Sequence, residues 1–178
     1  MTRYAVLLRG INVGRAHRVP MAGLRELLAG EGHGGVRTLL QSGNVVLDSQ
    51  LPPGELVPAV ERALERQFGF AIPTVVRTAD ELLAVVARDP LHDVVTDPTR
   101  YVVSFFAADV PADLVERLAS VDPVDDVYLV DGRELYLWCP HGQLQSPVSA
   151  ALGKYKGGRV GTARNWSTVL KLAELLQR

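Results

Sequence analysis

The sequence predicts an α+β fold of two ferredoxin-like subdomains in tandem, each with the element order βαββαβ. Three observations carry that expectation. Short β-branched runs alternate with segments whose apolar residues recur at helical spacing. The same six-element order occurs twice. The distance from a helix-opening proline to a hairpin glycine is 23 residues in the first half (Pro20 to Gly43) and 21 in the second (Pro111 to Gly132).

The first half reads as follows. Residues 3–9 form a strand that is apolar on both faces. Pro20 suits a first helical position, and Leu24, Leu27 and Leu28 follow at helical spacing until the glycines of 30–35. Residues 36–41 form a strand, Ser42-Gly43-Asn44 a tight turn, and 45–48 the returning strand. Leu56, Val60, Ala63 and Leu64 mark a helix over 55–67 that Gly69 stops. Residues 72–77 close the unit, and Leu82, Leu83 and Val86 mark a connecting helix over 79–88.

The second half has strands at 101–107, 127–130, 135–139 and 159–163. A helix opens at Pro111, a short one lies at 146–152, and a terminal helix spans 166–176. The two prolines of 89–98 place the boundary there, giving subdomains 1–89 and 90–178. Local echoes support an internal repeat: Tyr4-Ala5-Val6 against Tyr101-Val102-Val103, Val19-Pro20 against Val110-Pro111, and Gly43 against Gly132.

Net charge is −1, yet the charges are segregated. Residues 1–25 carry five arginines and no acid, and residues 135–173 carry five bases and no acid. The intervening 26–134 holds eight bases against 19 acids. An overall polybasic chain and a charge-swollen disordered one are thereby excluded. The single Cys139 forms no internal disulfide, and no apolar run reaches membrane-span length, which together predict a cytoplasmic protein. Arginines outnumber lysines 16 to 3.

The halves differ most between the first strand and the first helix. Tyr4 to Pro20 is 16 residues, whereas Tyr101 to Pro111 is ten. The six extra residues fall within Arg9–Arg18, and long structured loops carry function disproportionately. This loop has Gly10 and Gly14 for unusual backbone angles, Asn12, Arg15 and His17, and it feeds a helix N-terminus that favours an anion. The split βαββαβ topology places the end of strand one beside the end of strand two and the start of strand three. Arg9 and Asn12 are therefore expected near Gln41, Ser42, Gly43 and Asn44, as donors for an anionic ligand.

Leu8-Arg9-Gly10-Ile11-Asn12-Val13-Gly14, Val19-Pro20-Met21, Gln41-Ser42-Gly43-Asn44 and Thr162-Ala163-Arg164-Asn165-Trp166-Ser167-Thr168-Val169 resemble the domain-of-unknown-function family numbered 1697. The resemblance implies a bacterial, cytoplasmic protein of two α+β subdomains with ferredoxin-like character. It brings no established activity, so it assigns no residue a role. This chain departs from the family pattern at Arg15, where a glycine is usual, and at Ser167, where asparagine is usual.

Arg164 lies in a carboxylate-free stretch and, with Asn165, Lys154 and Lys156, is expected to join the Arg9 loop across a cleft between subdomains. Asn165 or Ser167 is also a candidate helix cap. Metal binding is not expected, since Cys139 and His141 offer two ligands and the other histidines lack zinc spacing. No cofactor is expected either, because the glycines fit neither a phosphate loop nor a dinucleotide fingerprint. His17 and Ser42 are weak catalytic candidates.

Tyr101, Phe105, Tyr136 and Trp138 alternate onto one face, as RNA-recognition modules require, but sheet packing explains them better. The leading expectation is recognition of a phosphate- or carboxylate-bearing small molecule, nucleotide-like in character, with nucleic acid as the weaker partner. The chain is expected to be a monomer or weak dimer with no membrane partner. The alternatives are an enzyme acting on a phosphorylated small molecule and an interaction module using the acidic middle.

Overall fold

The computed structural model describes residues 1–157 and 161–178. The chain divides into two compact units: Met1–Val86 together with Lys171–Arg178, and Ala87–Leu170. Each holds one four-stranded antiparallel sheet with helices, so the fold is α+β.

In the first unit, β1 (Thr2–Leu8), β2 (Gly34–Leu39), β3 (Asn44–Ser49) and β4 (Thr74–Thr78) take the order β2-β3-β1-β4. Helices α1 (Met21–Gly30) and α2 (Pro53–Phe68) supply Leu24, Leu28, Leu56, Val60 and Leu64 to a core against Tyr4, Val6, Leu8, Val45, Leu47 and Val76. Side chains alternate across a strand, so Ala5, Leu7 and Val46 point the other way, and they too are buried. Burial on both sides accounts for the uninterrupted apolar run of β1. Gly69 ends α2 at φ 80°, its N–H donating to the Glu65 carbonyl (2.9 Å). α3 (Ala79–Arg88) follows at once.

Two boundaries in this half differ from expectation. Gly34 and Gly35 begin β2 instead of ending α1. A register shift against β3 between Gly34 and Arg37, with Gly35 at φ 57°, lets the chain enter the sheet there. At the other end, Leu40 adopts φ 59° and stops the strand, so the turn runs over 40–43 instead of 42–44.

Arg3 joins β1 to β3 through hydrogen bonds to Asp48 (Nε–Oδ1 2.9 Å) and also donates to the Leu176 carbonyl (3.2 Å). That hydrogen bond holds the Asp48 carboxyl below the usual carboxylate range. A group with a depressed folded-state pKa stabilises the fold above its unfolded value and loses that contribution as pH falls through the folded one. Asp48→Asn is therefore expected to flatten the acid limb of stability below about pH 4, measured by urea unfolding at pH 7 and pH 3. An acid limb identical to that of the parent would assign the loss to other carboxylates.

In the second unit, β5 (Tyr101–Phe105), β6 (Val127–Asp131), β7 (Glu134–Trp138) and β8 (Thr162–Asn165) take the order β6-β7-β5-β8. Its helices are α4 (Ala112–Ala119) and α5 (Pro147–Gly153), and α6 (Trp166–Leu176) begins in it and passes into the first unit at Lys171. A short 3₁₀ turn at Gln143–Gln145 precedes α5. Phe106, Leu114, Leu118, Leu135, Leu137, Cys139 and Val148 form its core.

The last strand was expected over 159–163. Residues 159 and 160 lie outside the described ones, and β8 extends to Asn165, so Arg164 and Asn165 are strand residues instead of a following loop. Register also corrects two of the echoes. Tyr4 faces its helices with Val6 and Leu8, whereas Tyr101 lies on the face away from Leu135 and Leu137, so the two tyrosines are not equivalent. Likewise the Leu8 N–H donates to the Gly43 carbonyl and the Phe106 N–H to that of Arg133, which matches Gly43 with Arg133 and not with Gly132.

Tyr101, Phe105, Tyr136 and Trp138 are all buried, and Tyr101 stacks on Trp166 at 4.8 Å. Buried rings are no platform for bases.

Candidate functional site

The first-strand loop and the 40–43 turn meet at one edge of the first sheet. Arg9 leaves β1 with its N–H donating to the Pro73 carbonyl (3.0 Å), and its side chain is exposed. The chain then bends through four left-handed positions: Gly10 (φ 70°), Asn12 (φ 55°), Gly14 (φ 63°) and His17 (φ 53°). Asparagine is among the few non-glycine residues that tolerate this conformation.

Asn12 also clasps the loop. Its Nδ2 donates to the carbonyls of Val19 (3.0 Å) and Gln41 (2.8 Å), and its Oδ1 accepts from the Val19 N–H (2.9 Å). Its own N–H donates to the His17 carbonyl (3.0 Å). One carboxamide thus closes residues 12–19 into a ring and fastens that ring to the turn. Ile11 beneath it is buried, while Val13, Arg15, His17 and Arg18 are exposed.

On the turn, Gln41 and Ser42 are exposed, and Gly43 and Asn44 are buried. Asn44 Nδ2 donates to the Leu39 carbonyl (2.9 Å) and to Ser42 Oγ (3.0 Å). Asn44 and Asn12 are therefore committed to holding the backbone, leaving Arg9, Arg15, Gln41 and Ser42 on the surface of this edge. α1 begins just beyond the loop, with no side-chain cap at Pro20 and no acid in its first turn. Its first N–H groups and its dipole add positive potential there.

The other sequence candidates have contacts of their own. The His17 ring stacks on Phe70 at 4.5 Å, so the loop uses it for packing. Arg164 is 7% exposed, and its Nη1 donates to Thr162 Oγ1 and the Ala163 carbonyl (both 2.7 Å). Burial lowers its pKa to about 10, so it keeps its charge at neutral pH. Asn165 caps α6: its Oδ1 accepts from the Thr168 N–H (3.0 Å) and from the hydroxyls of Thr168 (2.7 Å) and Ser167 (3.0 Å). Lys154 and Lys156 are exposed, and Arg159 lies outside the described residues.

Burial pushes the Cys139 thiol up, away from the thiolate a nucleophile needs. Among the described residues no three histidine, cysteine or acidic side chains gather where they could hold a metal ion. No helix among them is long and apolar enough to cross a membrane.

Sequence reasoning missed the two-sided role of Asn12. The available signal was an asparagine midway between Gly10 and Gly14, where a left-handed turn favours a side chain that bonds backbone groups. Arg18, the last arginine of the loop, is exposed as Arg15 is.

Comparison with known proteins adds two findings. A family model described as a protein of unknown function (DUF1697) matches residues 1–136, which include both the loop and the turn. The solved structure of the conserved bacterial protein SP0830 from Streptococcus pneumoniae is similar to this chain at 26% identity, with 98% of each chain covered and a TM-score of 0.83. No curated protein gives a match.

Proposed function

This chain belongs to the DUF1697 family, and from that premise we propose that it recognises a small phosphate- or carboxylate-bearing molecule at the loop–turn edge of its first unit. The observation that carries this reading is the Asn12 clasp. By bonding the Gln41 carbonyl at 2.8 Å, it holds the arginine loop against the Gln-Ser turn before any ligand arrives. Arg9 and Arg15 supply charge, Gln41 and Ser42 supply neutral hydrogen bonds, and residues 1–25 contain five arginines and no acid, which weights this segment toward an anion. Arg164 and Asn165 are left out, because their side chains serve β8 and α6.

The same proposal reads each unit as a ferredoxin-like βαββαβ repeat. The equal strand orders and the prolines heading α1 and α4 support that reading. A cytoplasmic, bacterial setting suits the single buried Cys139 and the bacterial relative.

The test is thermal stabilisation by inorganic phosphate, pyrophosphate and AMP at low salt. Arg9→Ala combined with Arg15→Ala is expected to weaken binding at least tenfold, about the loss expected when charge-assisted hydrogen bonds go. Its circular dichroism should match that of the parent. Equal midpoint shifts in parent and double variant would overturn the proposal.

A further inference from the structure

The two sheets are unequally covered on their helix-bearing faces. In the first unit the 16-residue α2 lies over the sheet, and the inward β4 residue Val76 is 7% exposed. In the second unit the corresponding helix, α5, has seven residues. On β8 the buried–exposed alternation leaves Ala163 exposed, although it pairs with Ser104 on the same face as the core residues Leu135 and Leu137. The shorter helix leaves a depression of about 210 Å³, floored by Val102, Ser104 and Ala163 and walled by Ser149, Leu152 and Gln143.

Its chemistry is specific. Among the described residues, no lining residue is ionisable. The polar side chains are those of Ser104, Ser149 and Gln143, and none of these three side chains has a hydrogen-bond partner among the described residues. Ser104 also interrupts an otherwise apolar strand, Tyr101-Val102-Val103-Ser104-Phe105-Phe106, on the face where Val102 and Phe106 build the floor. A serine there gives up apolar contact and is useful where something polar meets it.

We propose that the second unit carries a separate small-molecule site, selective for a neutral compound of one ring with a hydroxyl or amide substituent. Size follows from volume: a cavity of about 150 Å³ accommodates benzene, so this one holds one ring and a substituent. Neutrality follows from the lining, since a charged ligand would lose hydration without gaining a counter-charge from any described lining residue. Specificity follows from two serines and one carboxamide set among aliphatic walls.

The test uses phenol, toluene and benzoate as probes, read by amide chemical shifts in the full chain. Phenol is expected to bind saturably, with shifts centred on Ser104, Ser149 and Ala163. Ala163→Leu, which fills the floor, is expected to weaken phenol at least tenfold. Ser149→Leu does the same from the opposite wall if the first variant folds poorly. Ser104→Ala is expected to weaken phenol while sparing toluene, and Arg9→Ala with Arg15→Ala to leave phenol unchanged, which separates this site from the anion site. Three outcomes would overturn the proposal: no saturable shift with phenol or toluene, benzoate binding as tightly as phenol, or parent-like phenol affinity in both filling variants.

Discussion

Replacing Gly43 with alanine is expected to cost about 2–4 kcal/mol of folding stability, from a left-handed backbone penalty plus overpacking. Gly43 has φ 80°, and a β-carbon there would sit 2.7 Å from Leu8 Cβ and 2.8 Å from Ile11 Cδ1. Leu8 cannot yield, because its β-carbon is fixed by β1, whose Leu8 N–H donates to the Gly43 carbonyl at 2.8 Å. Ile11 meets it with the end of a flexible side chain, so the fixed Leu8 β-carbon carries most of the clash. Gly10 and Gly14 provide the internal control. They have φ 70° and 63°, but a β-carbon at either would meet nothing within 4 Å, so alanine there carries only the backbone penalty of about 1–2 kcal/mol. Urea unfolding of the three variants should rank Gly43→Ala as the most damaging by at least about 1 kcal/mol. Equal losses at all three would remove the packing argument.

The element order was legible in the sequence because helices and strands impose different apolar periods, and those periods hold wherever one face meets a core. α6 starts and stops where its apolar spacing places it. Boundaries failed where backbone conformation, not periodicity, ends an element. Leu40 stops β2 by taking φ 59°, an angle nothing in leucine's chemistry announces. The expected end of β8, at 163, is two residues early because the charged Arg164 and the polar Asn165 give no apolar signal, although Arg164 is buried within the strand. The tyrosine echo misled because a shift of one residue moves every side chain of a strand to the other face.

Site legibility divided in the same way. Topology alone brought the end of β1 to the turn before β3, which is why Arg9, Asn12, Gln41 and Ser42 could be grouped. The division of labour among them was not readable. Asparagine is equally suited to a ligand and to a backbone carbonyl, and only geometry shows that Asn12 and Asn44 serve carbonyls. Arg164 illustrates the converse: a guanidinium without a nearby carboxylate in sequence found a threonine hydroxyl and a carbonyl on its own strand.

Asn12 therefore offers the sharpest separation of structure from recognition. Asn12→Ala removes two donated bonds and one accepted bond, all between 2.8 and 3.0 Å, and puts an alanine at φ 55°. Each lost hydrogen bond is worth about 1 kcal/mol net, but partly exposed groups regain water, so a loss of about 2–3 kcal/mol is expected. Asn12→Gly relieves the backbone penalty while losing the same bonds, and should fall between alanine and the parent. Asn12→Asp keeps the acceptor for the Val19 N–H but turns a carboxylate toward the carbonyls of Val19 and Gln41. It should equal or exceed the alanine loss at pH 7 and recover as acid protonates the carboxyl and restores one donor. Phosphate titration of the same series then decides what the clasp does. If the fastened loop is the recognition device, anion affinity falls in step with the lost Gln41 bond, although Asn12 itself contributes no charge. If affinity holds while stability falls, the arginines find the anion without a preformed edge, and the clasp belongs to the fold alone.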